Sequence, residues 1–223
     1  MVSFWITTMI TPTERQVEPQ HYSFCHYVTA ERWNSYWHQI DEALDDNSPK
    51  ILIIGVGDNI VPTILKSKGM EVKTFDFDPD LNPDYVGDIR DIASLIDKKS
   101  FDIVMCCQVL EHLEFENLES TLLSLMDIAK NKLVVSIPYN HRKLFYFSIK
   151  LPKFRQLTFE ISIPSFWVEW EFDGEHFWEV GTKGYQKKRI DQIIANIAPS
   201  VKSYFAVAYK YHLYYIISFK GDR

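Results

Sequence analysis

Apolar residues return along this chain in two alternating rhythms. From about Thr29 to Leu44, the residues Trp33, Tyr36, Trp37, Ile40 and Leu44 recur at steps of three and four. That spacing predicts an amphipathic helix, and Asp45-Asp-Asn-Ser-Pro49 breaks it. Ile51–Ile54 is an unbroken apolar run, the signature of a strand buried on both faces. A short helix over Val61–Lys68 follows, with Gly69 where a cap belongs. The pattern then predicts a strand over Glu71–Phe77, a turn-rich loop over 78–84, a short strand at Tyr85–Val86 and a helix or 3₁₀ turn over Ile89–Ile96. Phe101–Cys107 reads as a strand, Leu118–Lys130 as a helix and Lys132–Ile137 as a strand closed by Pro138. A last helix over Gly184–Ile197 precedes two strands, Val201–Ala208 and Tyr211–Ser218, joined by a tight turn around Tyr209-Lys210. Alternating strands and helices imply right-handed crossovers, hence an α/β fold with a mostly parallel sheet. The terminal hairpin requires an antiparallel strand.

Two stretches depart from this rhythm. Residues 1–20 have little periodicity and read as an arm. Residues 139–180 are aromatic and extended, and read as an insertion over the strand ends. One domain is expected: arm and first helix over 1–49, a cofactor-binding half over 50–138, an aromatic insertion or lid over 139–180, and the last helix and hairpin over 181–223. The insertion is suited to a substrate lid, a homodimer surface or a membrane-surface patch, since large apolar patches rarely stay uncovered. Its place after the strand ends favours the lid.

With 46% hydrophobic residues the chain is a folded globular one, and its net charge of −6 argues against a broad nucleic-acid footprint. Lys183, Lys187, Lys188 and Arg189 read as a solvated helix start. The cysteines, Cys25, Cys106 and Cys107, have no CxxC spacing, and two of them sit side by side in a strand, pointing to opposite faces. A reduced, cytoplasmic chain without transmembrane segment is the expectation.

The chemistry concentrates where Ile51–Ile54 runs into Gly55-Val-Gly57, with Asp76 at the end of the next strand about twenty residues on. Glycines let a backbone approach a ligand closely, and the acid suits two ribose hydroxyls. Ile60 stands where a dinucleotide fingerprint has its third glycine, and no Ser/Tyr/Lys set is evident, so an NAD-linked reductase is disfavoured. Gly87-Asp88-Ile89 follows strand three, and Gln108-Val-Leu-Glu-His-Leu113 follows strand four. With this ordered set the chain resembles class I S-adenosylmethionine-dependent methyltransferases, well over residues 50–138 and also in its final helix and hairpin. Segments 32–39 and 176–185 resemble methyltransferases of unassigned substrate.

The resemblance implies a Rossmann-like seven-stranded sheet with a reversed final strand, helices on both faces, and S-adenosylmethionine as cofactor. It implies that Gly55 and Gly57 approach the methionine and ribose, that Asp76 accepts from the ribose hydroxyls and that Phe77 flanks the adenine. Asp88 would accept from the adenine amino group, with Ile89 N–H near the ring, and Gln108 would line the sulfonium end. Two positions depart from the family: Ile53 replaces an acid two residues before Gly55, and Asn59 replaces a glycine. His141, after the fifth strand, and His176, in the insertion, are the candidate catalytic bases. Glu111 and His112 are adjacent, but Gln108 stands in place of a further acid and no second histidine follows nearby, so no metal site is expected. A small or apolar acceptor matches the aromatic lid best. The competing reading is a non-catalytic binding or scaffold protein that keeps the fold.

Overall fold

The computed structural model describes residues 22–44, 49–150, 152–153 and 157–219; the expected arm over 1–20 and most of the Asp45–Pro49 breaker lie outside them. Seven strands form one sheet: β1 (Lys50–Ile54), β2 (Glu71–Asp76), β3 (Tyr85–Val86), β4 (Phe101–Cys107), β5 (Ala129–Pro138), β8 (Val201–Ala206) and β9 (Tyr209–Ser218). Their order is β3-β2-β1-β4-β5-β9-β8. The first five are mutually parallel, and β9 runs antiparallel to both β5 and β8. The chain starts at the centre, winds out to β3, and returns to lay β4 on the other flank of β1. That reversal opens a crevice at the carboxyl ends of β1 and β4, the place where open α/β sheets bind ligands.

Alternate side chains of each strand feed two cores. Leu52, Ile54, Val104, Leu133 and Val135 face one side, where Leu122 and Leu125 of α5 (Leu118–Ile128) and Ile190 and Ile194 of α6 (Lys187–Ile197) cover them. Ile51, Ile53, Ile103, Met105 and Val134 face the other, under α2 (Ala30–Ala43) and α3 (Ile60–Ser67). Burial on both faces is why β1 tolerates no polar residue between Ile51 and Ile54. Cys106 and Cys107 do fall on opposite faces, and both thiols are free. α2 is capped by Thr29, whose Oγ1 accepts from Arg32 N–H at 3.1 Å. α3 ends at Gly69, at φ +83°, with Met70 N–H reaching Leu65 O and Gly69 N–H reaching Lys66 O. That bonding pair needs a left-handed residue, which explains the glycine.

Three of the boundaries that differ from the sequence expectation have a local cause. β5 starts at Ala129, directly after α5 ends at Ile128, so no loop separates helix from strand. α6 starts at Lys187 because Gly181 and Gly184 adopt φ of +99° and +88° and turn the chain first. The final hairpin turns at Val207-Ala208, not at Tyr209-Lys210, with Ala206 opposite Tyr209 and Ala208 at φ +59°. An alanine in that conformation carries no turn signal.

Within 139–180 the chain builds a separate antiparallel pair, β6 (His141–Ile149) and β7 (Leu157–Pro164). Leu144, Phe145, Phe147, Leu157 and Phe159 are all exposed on it. The segment after β7 folds back into the main body. Trp178 is fully buried there, edge-on to Phe115, and its Nε1–H donates to Leu113 O at 3.0 Å. The end of the expected insertion is therefore core. No helix among the described residues is long and apolar enough to cross a membrane.

Candidate active site

The crevice begins where β1 ends. Gly55 sits at φ +82°, and a Cβ there would come within 2.7 Å of Val109 Cγ2. Gly57, at φ +52°, has nothing within 4 Å of where its Cβ would stand, so the chain is bare toward the crevice it lines. Asn59 follows at φ 58° and ψ 16° and precedes the first turn of α3. Asparagine tolerates the left-handed region better than most residues. The Asn59 departure therefore keeps the backbone a glycine would adopt.

Asp76 closes β2 and is 7% exposed. Its Oδ2 accepts from Val56 N–H at 2.7 Å and its Oδ1 from Asp78 N–H at 3.0 Å. One carboxylate thus ties the glycine bend to the neighbouring strand end. Burial raises its pKa, and the backbone donors only partly offset that.

The cavity between these elements measures about 380 Å³, in the size range of small-molecule sites. Gly55, Gly57, Asp76, Phe77, Asp88, Ile89, Gln108 and His176 all line it. Asp88 is already engaged: its carboxylate forks onto Arg90, with Nε at 2.9 Å from Oδ1, and that hydrogen bond foremost lowers its pKa. Gln108 holds a left-handed φ of 56°, and its Nε2 donates to Ser136 Oγ at 3.2 Å. A long polar side chain in that conformation is strained, as residues at ligand clamps often are.

His141 is the exception, because it does not line the cavity. Pro138 ends β5 and the chain turns outward, so His141 opens β6 and faces β7. Its Nδ1 meets Tyr139 O at 2.9 Å, its Nε2 lies 3.5 Å from Glu160 Oε1, and its ring stacks on Tyr139. β6 and β7 likewise contribute no side chain to the cavity, whose share of residues 139–180 is Glu175 and His176.

Several lining residues were not among the site residues expected from the sequence. Tyr22, Tyr27, Arg32 and Tyr36 come from the N-terminal segment, and the Arg32 guanidinium lies 3.7 Å over the Tyr27 ring. Tyr36 Oη donates to Asp58, which also caps Ile60 N–H at 3.1 Å. Below them lies a buried polar group. Glu111 is fully buried, and neither carboxylate oxygen has a hydrogen-bond partner in another residue among those described. Burial pushes its pKa up to about 7, with the His176 charge opposing. His112 is held down to about 4, by burial first and then by His176. For His176 burial opposes the charge, but the bond from Nδ1 to Glu179 Oε1 at 2.9 Å and the nearby Glu111 outweigh it and raise the pKa. Glu111 and His112 share one 3₁₀ turn, Leu110–His112, while His176 arrives from far along the chain. Phe177 N–H on Glu111 O at 2.8 Å and the buried Trp178 hold that return in place.

No family model matches the chain, and no curated protein matches it. Solved structures do. A SAM-dependent methyltransferase from Archaeoglobus fulgidus superposes with a TM-score of 0.57 at 14% identity, over 85% of this chain and 94% of that one. Magnesium protoporphyrin IX methyltransferase from Synechocystis PCC 6803, solved with bound SAM, gives 0.54 at 15% identity, over 85% and 80%. A glycopeptide N-methyltransferase complexed with S-adenosyl-L-homocysteine gives 0.55 at 11% identity, over 84% and 89%. At these identities the likeness shows the shared Rossmann-like fold.

Proposed function

We propose that the chain is an S-adenosylmethionine-dependent methyltransferase acting on a small acceptor. The observation that carries this reading is the Asp76 clasp, a buried carboxylate held by Val56 and Asp78 N–H at the mouth of an open crevice beside the bare Gly57. The residues fit the cofactor. Each Asp76 oxygen already accepts one backbone N–H and has capacity for a ribose hydroxyl. Phe77, half exposed beside it, offers a face to the adenine. Ile89 and Asp88 close that end, although Asp88 shares its carboxylate with Arg90. At the other end Arg32 and Asp58 supply one positive and one negative side chain, the counter-charges of an amino-acid tail. Asp58 thereby stands in for the acid that Ile53 lacks.

When bound, S-adenosylmethionine supplies a methyl group activated on a cationic sulfonium. The protein's task is then alignment and exclusion of water. Tyr22, Tyr27 and Tyr211 wall the crevice with aromatic surface, and Gln108, bonded to Ser136, lines it as well. That lining suits an acceptor with an apolar body. His176 is the candidate base that the crevice retains.

Calorimetry with S-adenosylhomocysteine tests the reading directly. Binding in the micromolar range is expected; its absence would favour the scaffold alternative.

A further inference from the structure

A buried carboxylate with no partner demands an explanation, since such groups are almost always paired or bound to an ion. Glu111 is that group, and two imidazoles stand beside it. One ligand atom from each of Glu111, His112 and His176 lies within 4.8 Å of the other two. We propose that these three side chains bind a divalent transition-metal ion at the floor of the crevice.

The surrounding hydrogen bonds are those a metal site needs. Each histidine has its Nδ1 committed: His112 to the Glu175 carbonyl at 2.9 Å, and His176 to Glu179 Oε1 at 2.9 Å. With Nδ1–H donating in both, Nε2 is the ligating nitrogen, and the carboxylate behind His176 strengthens it as a donor. Glu179 is itself fixed, because it is 3% exposed and accepts from Tyr211 Oη at 2.5 Å and Asn140 Nδ2 at 2.8 Å. The supporting shell is therefore rigid and buried, while the three ligands face a cavity.

The donor set selects the metal. Two imidazoles and one carboxylate suit zinc, manganese, iron or cobalt; magnesium and calcium favour all-oxygen shells. Ligand bonds of about 2.0–2.2 Å at tetrahedral angles place ligand atoms about 3.4 Å apart, so side-chain rotation must draw together three atoms that now lie within 4.8 Å of one another. Three protein ligands leave positions open toward the crevice, where an oxygen of a bound molecule completes the shell. Resting on the methyl-transfer reading, that oxygen belongs to the acceptor, which makes the acceptor a hydroxyl compound: the metal would lower the hydroxyl's pKa so that its proton leaves to solvent, and the oxygen would take the methyl as the S–CH₃ bond breaks and S-adenosylhomocysteine departs. His176 is then a ligand instead of the base.

The ion itself is tested without any methyl donor, so its failure is separable from that of the methyl-transfer reading. The full chain, stripped with a chelator, is titrated with zinc and with manganese by calorimetry, and thermal melts are recorded with and without each metal. One site per chain with micromolar or tighter affinity and a metal-dependent rise in Tm are expected. Glu111→Gln and His176→Asn should abolish both effects, and Glu179→Gln should weaken binding about 10–100-fold through the His176 ring. Because Glu111→Gln removes an unpaired buried charge, its metal-free Tm should equal or exceed that of the wild type, which excludes misfolding as the cause of lost binding. Absence of heat and Tm shift in the wild type, or undiminished binding in Glu111→Gln, would overturn the proposal.

Discussion

Asp76→Ala is the sharpest probe of the crevice. The substitution removes an acceptor whose two oxygens each hold one backbone N–H, from Val56 at 2.7 Å and Asp78 at 3.0 Å. Two consequences follow. The stranded N–H groups lie in a buried corner, and leaving a buried donor unpaired costs about 1–3 kcal/mol each, so the melting temperature should fall. Affinity for S-adenosylhomocysteine loses the ribose bonds as well. A hydrogen bond to a charged group contributes about 1.5–3 kcal/mol, and each 1.4 kcal/mol is about tenfold in Kd, so binding should weaken about 10- to 150-fold. Asp76→Asn separates the two effects, since it keeps the volume but aims an NH₂ at one of the two backbone donors. It should melt low while retaining part of the affinity. The assay is calorimetry at neutral pH on variants shown folded by circular dichroism. Acid pH provides a second reading. Burial raises the pKa of Asp76, so as pH falls its ionised form is lost earlier than that of an exposed aspartate. Wild-type Kd in a folded Asp76→Ala variant, or affinity that stays flat into acid, would refute the ribose assignment.

Three further outcomes are expected. Trp178→Ala should destabilise the fold by about 3–5 kcal/mol in urea titration, because it empties a fully buried indole site and strands Leu113 O. His212 is buried and its pKa is held down to about 3, chiefly by burial. Its neutral form therefore supports full stability above the unfolded value of about 6.5, and that stability is lost as pH falls toward 3; at pH 5 the loss is about 2 kcal/mol. Urea midpoints that do not drop between pH 7 and pH 5, or an equal drop in His212→Asn, would contradict this. Finally, Phe145→Ser and Phe159→Ser on the hairpin should leave S-adenosylhomocysteine affinity unchanged by calorimetry, since neither side chain lines the crevice; a marked loss would restore the lid reading.

The local pattern was enough to locate the sheet. A run such as Ile51–Ile54 has one low-energy use, a strand buried on both faces, and period-two alternation then sorts its neighbours onto two cores. Gly55, Gly57 and Asp76 were legible for the same reason: they sit at strand ends, and strand ends of a parallel sheet meet by construction. The course of the chain after β5 was not. Nothing in the spacing around His141 reveals that Pro138 turns the chain outward into a separate hairpin. Nor does anything near Gln108 announce that Trp178 will anchor a return of the chain beside Glu111. Contacts between Glu111 and His176 depend on how distant segments pack, and packing energy is shared among many side chains, none of which carries a local mark. The sequence alone determined the strands of the main sheet and the strand ends at which Gly55, Gly57 and Asp76 stand. Tertiary packing alone decided which polar groups meet at its floor.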